Sequence, residues 1–217
     1  MNPPLQAIIF DMDGTMVDNM AVHNRIWIEF LQDLGASVDP AAFHERTAGR
    51  TNTEVLRLYL GQGLGADEAL RLSEAKEMRY RAYFQAHARP VAGLMDLLGA
   101  ARQAGYRLGV ATAAPPGNVD FLLGCLGLNG FFDAVVNGEE VTRGKPDPEI
   151  FLKAAGRLNV PPAACLVFED TRLGAEAARS AGMRTILLTT TLPAHEARQV
   201  PGVLKAVANF HEAMGEI

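Results

Sequence analysis

The sequence predicts an α/β protein: a doubly wound parallel sheet with an inserted α-helical unit. Three observations carry that prediction. Short apolar runs without clean polar alternation recur along the chain, as strands covered on both faces require. Amphipathic helical stripes separate the later runs, and strand alternating with helix reads as a parallel sheet. One segment, roughly residues 19–87, breaks that rhythm and offers only helical spacing.

The first apolar run is Ala7-Ile8-Ile9-Phe10, and the acidic loop Asp11-Met12-Asp13-Gly14-Thr15-Met16-Val17-Asp18 follows it directly. Gly14 lets that loop turn sharply, because it tolerates positive φ at little cost. In the insert, Val22, Ile26, Trp27, Phe30, Leu31 and Leu34 keep helical spacing until Gly35, and Asp18 is expected to cap that helix. Val55, Leu56, Tyr59 and Leu60 suggest a second helix. Ala66 to Phe84 suggests a long third one, rich in Glu, Lys and Arg.

The core resumes near Arg89-Pro90-Val91, which divides the chain into a core of residues 1–17 and 89–217 and a helical cap of residues 18–88. An insertion that leaves and returns beside an acidic loop is placed to act as a lid. Leu94, Leu97, Leu98 and Ala101 then share a helix face, ended by Gly105. The predicted strand Arg107–Thr112 follows, and then a helix with Val119, Leu122, Leu123 and Leu126 on one face. Next come the strand Ala134–Asn137, a stripe of Ile150, Phe151, Ala154, Ala155 and Leu158, and the strand Cys165–Glu169. A helix over Gly174–Ala181 and the strand Arg184–Thr189 complete the pattern. The tail Leu192–Ile217 reads as solvent-facing helix and loop.

Bulk properties exclude several classes. The 217 residues are 48% apolar and 21% charged, an ordinary globular balance with ample core for one sizeable domain or two modest ones. A net charge of −5 without a basic patch argues against a nucleic-acid surface. No stretch is long enough to span a membrane, and the N-terminus lacks the basic region of a signal peptide. Cys125 and Cys165 fall within apolar stretches and are expected to be buried, reduced thiols of a cytoplasmic protein. No obligate protein partner is evident.

The chemistry concentrates at strand ends, where open parallel sheets bind ligands. Two carboxylates held close, Asp11 and Asp13, repel each other, and a divalent cation relieves that repulsion. One is then free to act as a nucleophile while the other exchanges protons. The strand Arg107–Thr112 ends on a hydroxyl, Lys145 lies in the loop Gly144-Lys145-Pro146-Asp147-Pro148, and the strand from Cys165 ends on the acid pair Glu169-Asp170. Taken singly, Thr112 reads as a strand-ending hydroxyl, Lys145 as a solvated loop cation and Glu169-Asp170 as a helix N-terminal acid pair.

Together and in this order, the four motifs resemble those of the haloacid dehalogenase superfamily, over nearly the whole chain. The likeness is to its β-phosphoglucomutase-like and sugar-phosphatase branch, with a Rossmann-like core and a small C1-type helical cap. The resemblance implies a magnesium-dependent enzyme in which Asp11 attacks phosphorus and forms an aspartyl phosphate. Asp13 protonates the departing alkoxide and then activates water. Mg2+ is held by Asp11, the backbone carbonyl of Asp13 and Asp170, with Glu169 ligating directly or through water. Thr112 and the backbone amide of Ala113 hold phosphoryl oxygens, and Lys145 neutralises charge. The true dehalogenases lack the second aspartate, so Asp13 predicts phosphoryl transfer and no dehalogenation.

Substrate-binding candidates in the cap are His23, Lys76, Arg50 and Asn52. His23 and Lys76 match positions that contact substrate or assist catalysis in the mutases. The mutases carry an arginine three residues after Gly49, where this chain has Asn52, and Arg50 stands directly after the glycine instead. Thr15 after Asp13-Gly14 is common in the phosphatases. Both departures favour hydrolysis of a small phosphorylated metabolite, such as a sugar phosphate, over mutase chemistry. A β-phosphoglucomutase is the first alternative, and a non-enzymatic phospho-acceptor module of the receiver type is a remote one.

Overall fold

Strand β1 (Ala7–Phe10) is buried along its whole length, so both of its faces need cover. Ala7 and Ile9 point to one face, where they pack with Ile150, Phe151 and Ala154 of helix α7 (Glu149–Leu158) and Ala177 and Ala178 of helix α8 (Arg172–Ser180). Phe10 points to the other. Its ring stacks on Phe168 at 5.3 Å and meets Phe210 at 6.0 Å. The computed structural model describes residues 3–47 and 50–217, and the side chains of residues 44 and 45 lie outside that description.

The remaining strands are β2 (Arg107–Ala111), β3 (Ala134–Val136), β4 (Cys165–Glu169), β5 (Arg184–Leu188) and β6 (Val203–Val207). Among the described residues they form one parallel sheet in the order β3-β2-β1-β4-β5-β6, the doubly wound α/β fold that the sequence predicts. The connections wind outward in opposite directions from β1 and β4, so the carboxyl ends of those two strands form the switch point where such sheets bind ligands. The register is direct. Phe10 lies beside Phe168, and the Asp11 N–H donates to the Phe168 carbonyl at 2.9 Å. Asp11 and Glu169 therefore leave the sheet side by side.

The chain divides into two compact units, Met1–Asp18 with Ala88–Ile217, and Asn19–His87. The first also holds helices α5 (Leu94–Gln103), α6 (Pro116–Cys125) and α9 (Ala194–Ala197). The second comprises α1 (Met20–Asp33), α2 (Pro40–Thr47), α3 (Asn52–Leu60) and α4 (Ala66–Phe84) around Trp27, Phe30, Leu31, Phe43, Leu56 and Leu72. Helix α3 begins with a capping box. Thr51 Oγ1 accepts from the Glu54 N–H, and the Glu54 carboxylate accepts from the Thr51 N–H at 2.7 Å.

Several expectations are corrected. The tail contributes edge strand β6, and the short 3-10 helix Phe210–Glu216 buries Phe210 and Ala213. Only the last residue of β6 is buried and Lys205 interrupts it, so its apolar signal is weak. Helix α2 adds Phe43 to the helical unit; Pro40 starts it, at a position where a missing N–H costs nothing. The N-cap of α1 is Asn19, and Asp18 is exposed; the Asn19 side chain does not cap the helix but donates to the Tyr80 hydroxyl at 2.7 Å. Cys165 is buried, which pushes its thiol up to about 11, but Cys125 is exposed. Helix α6 buries Val119, Leu122 and Leu123, and Cys125 lies on its other side.

Phe210 closes the second face of the sheet against Phe10 and Phe168, at 6.0 and 5.1 Å. Phe210→Ala is expected to cost about 3–5 kcal/mol of stability, as for other fully buried aromatics. Urea denaturation measures that loss. A cost below about 1 kcal/mol would show that the tail is dispensable to the core.

Candidate active site

Four charged side chains meet where β1 and β4 end. Asp11 follows β1, Glu169 closes β4, Asp170 comes next, and all three are almost fully buried. One carboxylate oxygen from each lies within 4.8 Å of the others. The Lys145 ammonium enters from the loop before α7. It donates to Asp11 Oδ1 at 2.6 Å and to Glu169 Oε1 at 2.5 Å, above the face of Phe151. With all three carboxylates ionised against one ammonium, two negative charges would stand uncompensated in a buried space. That is the charge of a divalent cation, and an all-oxygen donor set suits a hard one.

The remaining donors fix the acids in place. Glu169 Oε2 accepts the backbone N–H groups of Asp170 and Thr171 at 2.8 and 2.7 Å, and the Thr171 hydroxyl at 2.9 Å. Thr171 is itself the N-cap of α8. Glu169 is thus a helix N-terminal acid as well as a partner of Lys145. Asp170 Oδ1 accepts the Thr15 hydroxyl at 3.2 Å, and its Oδ2 accepts that of Thr191.

The proton affinities follow from this arrangement. Burial pushes Asp11 up to about 7, with Glu169 and Asp13 adding to the rise and Lys145 opposing it. Burial also drives Asp170 well above the carboxylate range, helped by Glu169 and Asp11. Burial would raise Glu169 too, but Lys145 and the Thr171 donors outweigh it and hold Glu169 below its ordinary value. Burial would lower Lys145, yet Asp11 and Glu169 keep the ammonium above its usual range. In the absence of a cation, the site holds one firm ion pair and two carboxyls that resist ionisation.

Two glycines make room for the acids. Gly14 has φ +85°, and a Cβ there would lie 2.1 Å from Asp170 Oδ2. A Cβ on Gly174 would lie 1.8 Å from Glu169 Oε1. Either position would displace a carboxylate if it carried a side chain.

Thr112 is buried at the end of β2, and its Oγ1 accepts the Ala114 N–H at 3.1 Å, which leaves the hydroxyl proton to donate elsewhere. Ala113 is exposed next to it. Asp13 is partly buried in the turn, where Gly14 N–H donates to the Val17 carbonyl at 2.8 Å; its carboxylate is not one of the three clustered ones.

A model of haloacid dehalogenase-like hydrolases matches residues 5–182. The chain belongs to that family. Protein CbbY of Rhodobacter capsulatus is 33% identical over 192 residues, covering 84% of this chain and 85% of that protein. Fructose-1-phosphate phosphatase YqaB of Escherichia coli is 32% identical, covering 83% of this chain and 94% of that protein. A crystal structure of a CbbY mutant from Rhodobacter sphaeroides, in complex with xylulose-(1,5)bisphosphate, superposes with a TM-score of 0.83 at 28% identity, covering 96% of each chain.

In this haloacid dehalogenase-like hydrolase the cap candidates lie within the helical unit Asn19–His87. Lys76 is buried there and contacts His23 Nδ1 and Glu77 Oε1, both at 2.9 Å, over the rings of Trp27 and Tyr80. His23 stacks on Tyr80 at 3.8 Å. Asn52 donates to Ser73 Oγ and to Glu77 Oε1, both at 2.8 Å, so it joins the same network. Arg50 stays outside it: exposed, it donates to the Arg46 carbonyl. Ala48 and Gly49, next to Arg50, lie outside the described residues.

Sequence reasoning missed Glu77, Thr190 and Thr191, and assigned Thr15 no contact. Among the described residues, no helix is long and apolar enough to cross a membrane.

Proposed function

We propose that the chain is a magnesium-dependent phosphatase of small phosphorylated metabolites, sugar phosphates in particular, working through an aspartyl phosphate on Asp11. The observation that carries this reading is the buried convergence of Asp11, Glu169 and Asp170 around Lys145 at the switch point of the sheet. The names of two relatives, a fructose-1-phosphate phosphatase and a protein crystallised with a sugar bisphosphate, support the substrate class.

Mg2+ would be held by Asp11, the Asp13 carbonyl and Asp170, with Glu169 directly or through water. It would offset carboxylate repulsion and charge on the phosphoryl group. In the reaction an Asp11 oxygen bonds to phosphorus as the ester P–O bond breaks, and the leaving oxygen takes its proton from Asp13. Water then attacks phosphorus as the Asp13 carboxylate takes a proton from that water, which reprotonates Asp13. The Asp11–phosphorus bond breaks and inorganic phosphate leaves. Lys145 holds Asp11 in line and offsets charge, while Thr112 and the Ala113 N–H hold phosphoryl oxygens. His23, Arg50, Asn52 and Lys76 belong to the proposal as substrate contacts.

A panel of sugar phosphates, nucleotides and pyrophosphate tests the reading. Inorganic phosphate is expected with magnesium and not with EDTA. With β-glucose 1-phosphate and a bisphosphate activator, free phosphate is expected to form faster than glucose 6-phosphate; the reverse order would make the chain a mutase.

Gly174→Ala offers a second check. The new methyl group would displace Glu169 from Lys145, and the magnesium needed for half-maximal activity is expected to rise about 10-fold or more, as for other residues that support metal ligands. An unchanged magnesium requirement would remove Glu169 from the metal site.

A further inference from the structure

We propose that the Thr191 hydroxyl, acting with that of Thr15, is a positioning device that fixes the Asp170 carboxylate for a divalent cation. The inference rests on the magnesium reading above and adds to it a residue beyond the family's four motifs.

Asp170 has the hardest position of the three acids. It is about 1% exposed and lies beside two other carboxylates. The ammonium in the cluster is hydrogen-bonded to Asp11 and Glu169. Asp170 receives hydroxyl donors instead, one on each oxygen: Thr15 on Oδ1 at 3.2 Å and Thr191 on Oδ2. A carboxylate oxygen has two lone pairs, so each oxygen keeps one after accepting its hydroxyl bond. The two bonds fix the rotation of the carboxylate plane while leaving acceptor capacity on both oxygens, one of which lies within 4.8 Å of an Asp11 and a Glu169 oxygen.

The loop that supplies Thr191 is anchored to the same place. Thr191 follows β5, the strand next to β4, and the hydroxyl of its neighbour Thr190 donates to the Gly14 carbonyl. Gly14 lies against both partners. A Cβ there would sit 2.1 Å from Asp170 Oδ2 and 3.0 Å from Thr191 Oγ1. The turn after β1, the end of β4 and the loop after β5 thus converge on one carboxylate. Such supporting donors typically contribute a 10–100-fold effect on metal affinity.

The test is a Mg2+ titration of the full chain, followed by calorimetry and by the rise in melting temperature. Thr191→Val keeps the shape and removes the hydroxyl, and it is expected to weaken Mg2+ binding about 10–100-fold. Thr191→Ser restores the donor and is expected to return binding to within a few-fold of wild type, a rescue that packing alone would not give. Melting in EDTA confirms that each variant is folded, and Thr191→Ala replaces the valine variant if that one is not. Equal Mg2+ affinity in wild type and the hydroxyl-free variant would overturn the inference and leave the phosphatase reading standing. No Mg2+ binding by wild type would overturn the magnesium reading, and this inference with it.

Discussion

Asp11→Asn is expected to abolish phosphate release, with a loss of about 10^4-fold or more, the scale on which removal of a covalent nucleophile acts. Asparagine keeps the size of the side chain and the acceptor that Lys145 needs, but its amide oxygen cannot form a stable bond to phosphorus. The fold should survive, because Asp11 stabilises little as an ion. Burial pushes it up to about 7, against 3.8 for an ordinary aspartate. Between those values the folded chain binds a proton that the unfolded chain has released. The Asp11 contribution to stability therefore falls as pH rises from about 4 to 7 in the absence of metal. Asp11→Asn lacks that titration. In EDTA, the melting temperature of wild type relative to the variant is expected to drop across this window. Phosphate release by the variant within 100-fold of wild type would remove Asp11 as nucleophile. A flat difference between pH 4 and 7 would mean that its carboxyl is not strained by burial.

The acids were legible because each strand announces its own end. Ala7-Ile8-Ile9-Phe10 and Cys165-Leu166-Val167-Phe168 are apolar runs that stop on charge, and a parallel sheet has one edge where such stops gather. Pairing Phe10 with Phe168 then brings Asp11 to Glu169 without further information. Thr191 carries the same kind of signal, since it stands in Thr189-Thr190-Thr191 just after an apolar strand, but a hydroxyl is too common at strand ends to be noticed alone. Its partner Asp170 is 21 residues away and is reached only through the adjacency of β4 and β5.

Glu77 was hidden for a different reason. Neighbours on a helix do not usually face each other, yet Glu77 and Lys76 pair at 2.9 Å inside the helical unit. Strand β6 was missed because an edge strand with one buried residue has almost no apolar pattern to read. Cys125 is exposed despite its apolar neighbours in sequence, because nearness along the chain is not nearness in space. On a helix, the face two residues past Leu123 points away from the core.

Lys145→Met separates what the ammonium does for the fold from what it does for the reaction. Methionine replaces the aliphatic stem above Phe151 and removes the charge that joins Asp11 and Glu169. Taking one partner from a buried ion pair commonly costs about 3–5 kcal/mol, because the remaining charge is left uncompensated. That loss is expected in EDTA at neutral pH. Glu169 would feel it most, since Lys145 is the main influence holding it ionised against burial. A divalent cation should then stabilise the variant more than wild type, because it meets three carboxylates with no ammonium among them. Magnesium is expected to restore much of the melting temperature but not the turnover. The charge on the transferring phosphoryl group still lacks its cation, and kcat should remain about 10^2–10^3-fold low, the effect of removing one preorganised donor. Melting curves and kcat measured over the same magnesium titration distinguish the two roles. If kcat recovers along with the melting temperature, the ammonium acts only to hold the acids together, and charge on the phosphoryl group is met by the metal alone.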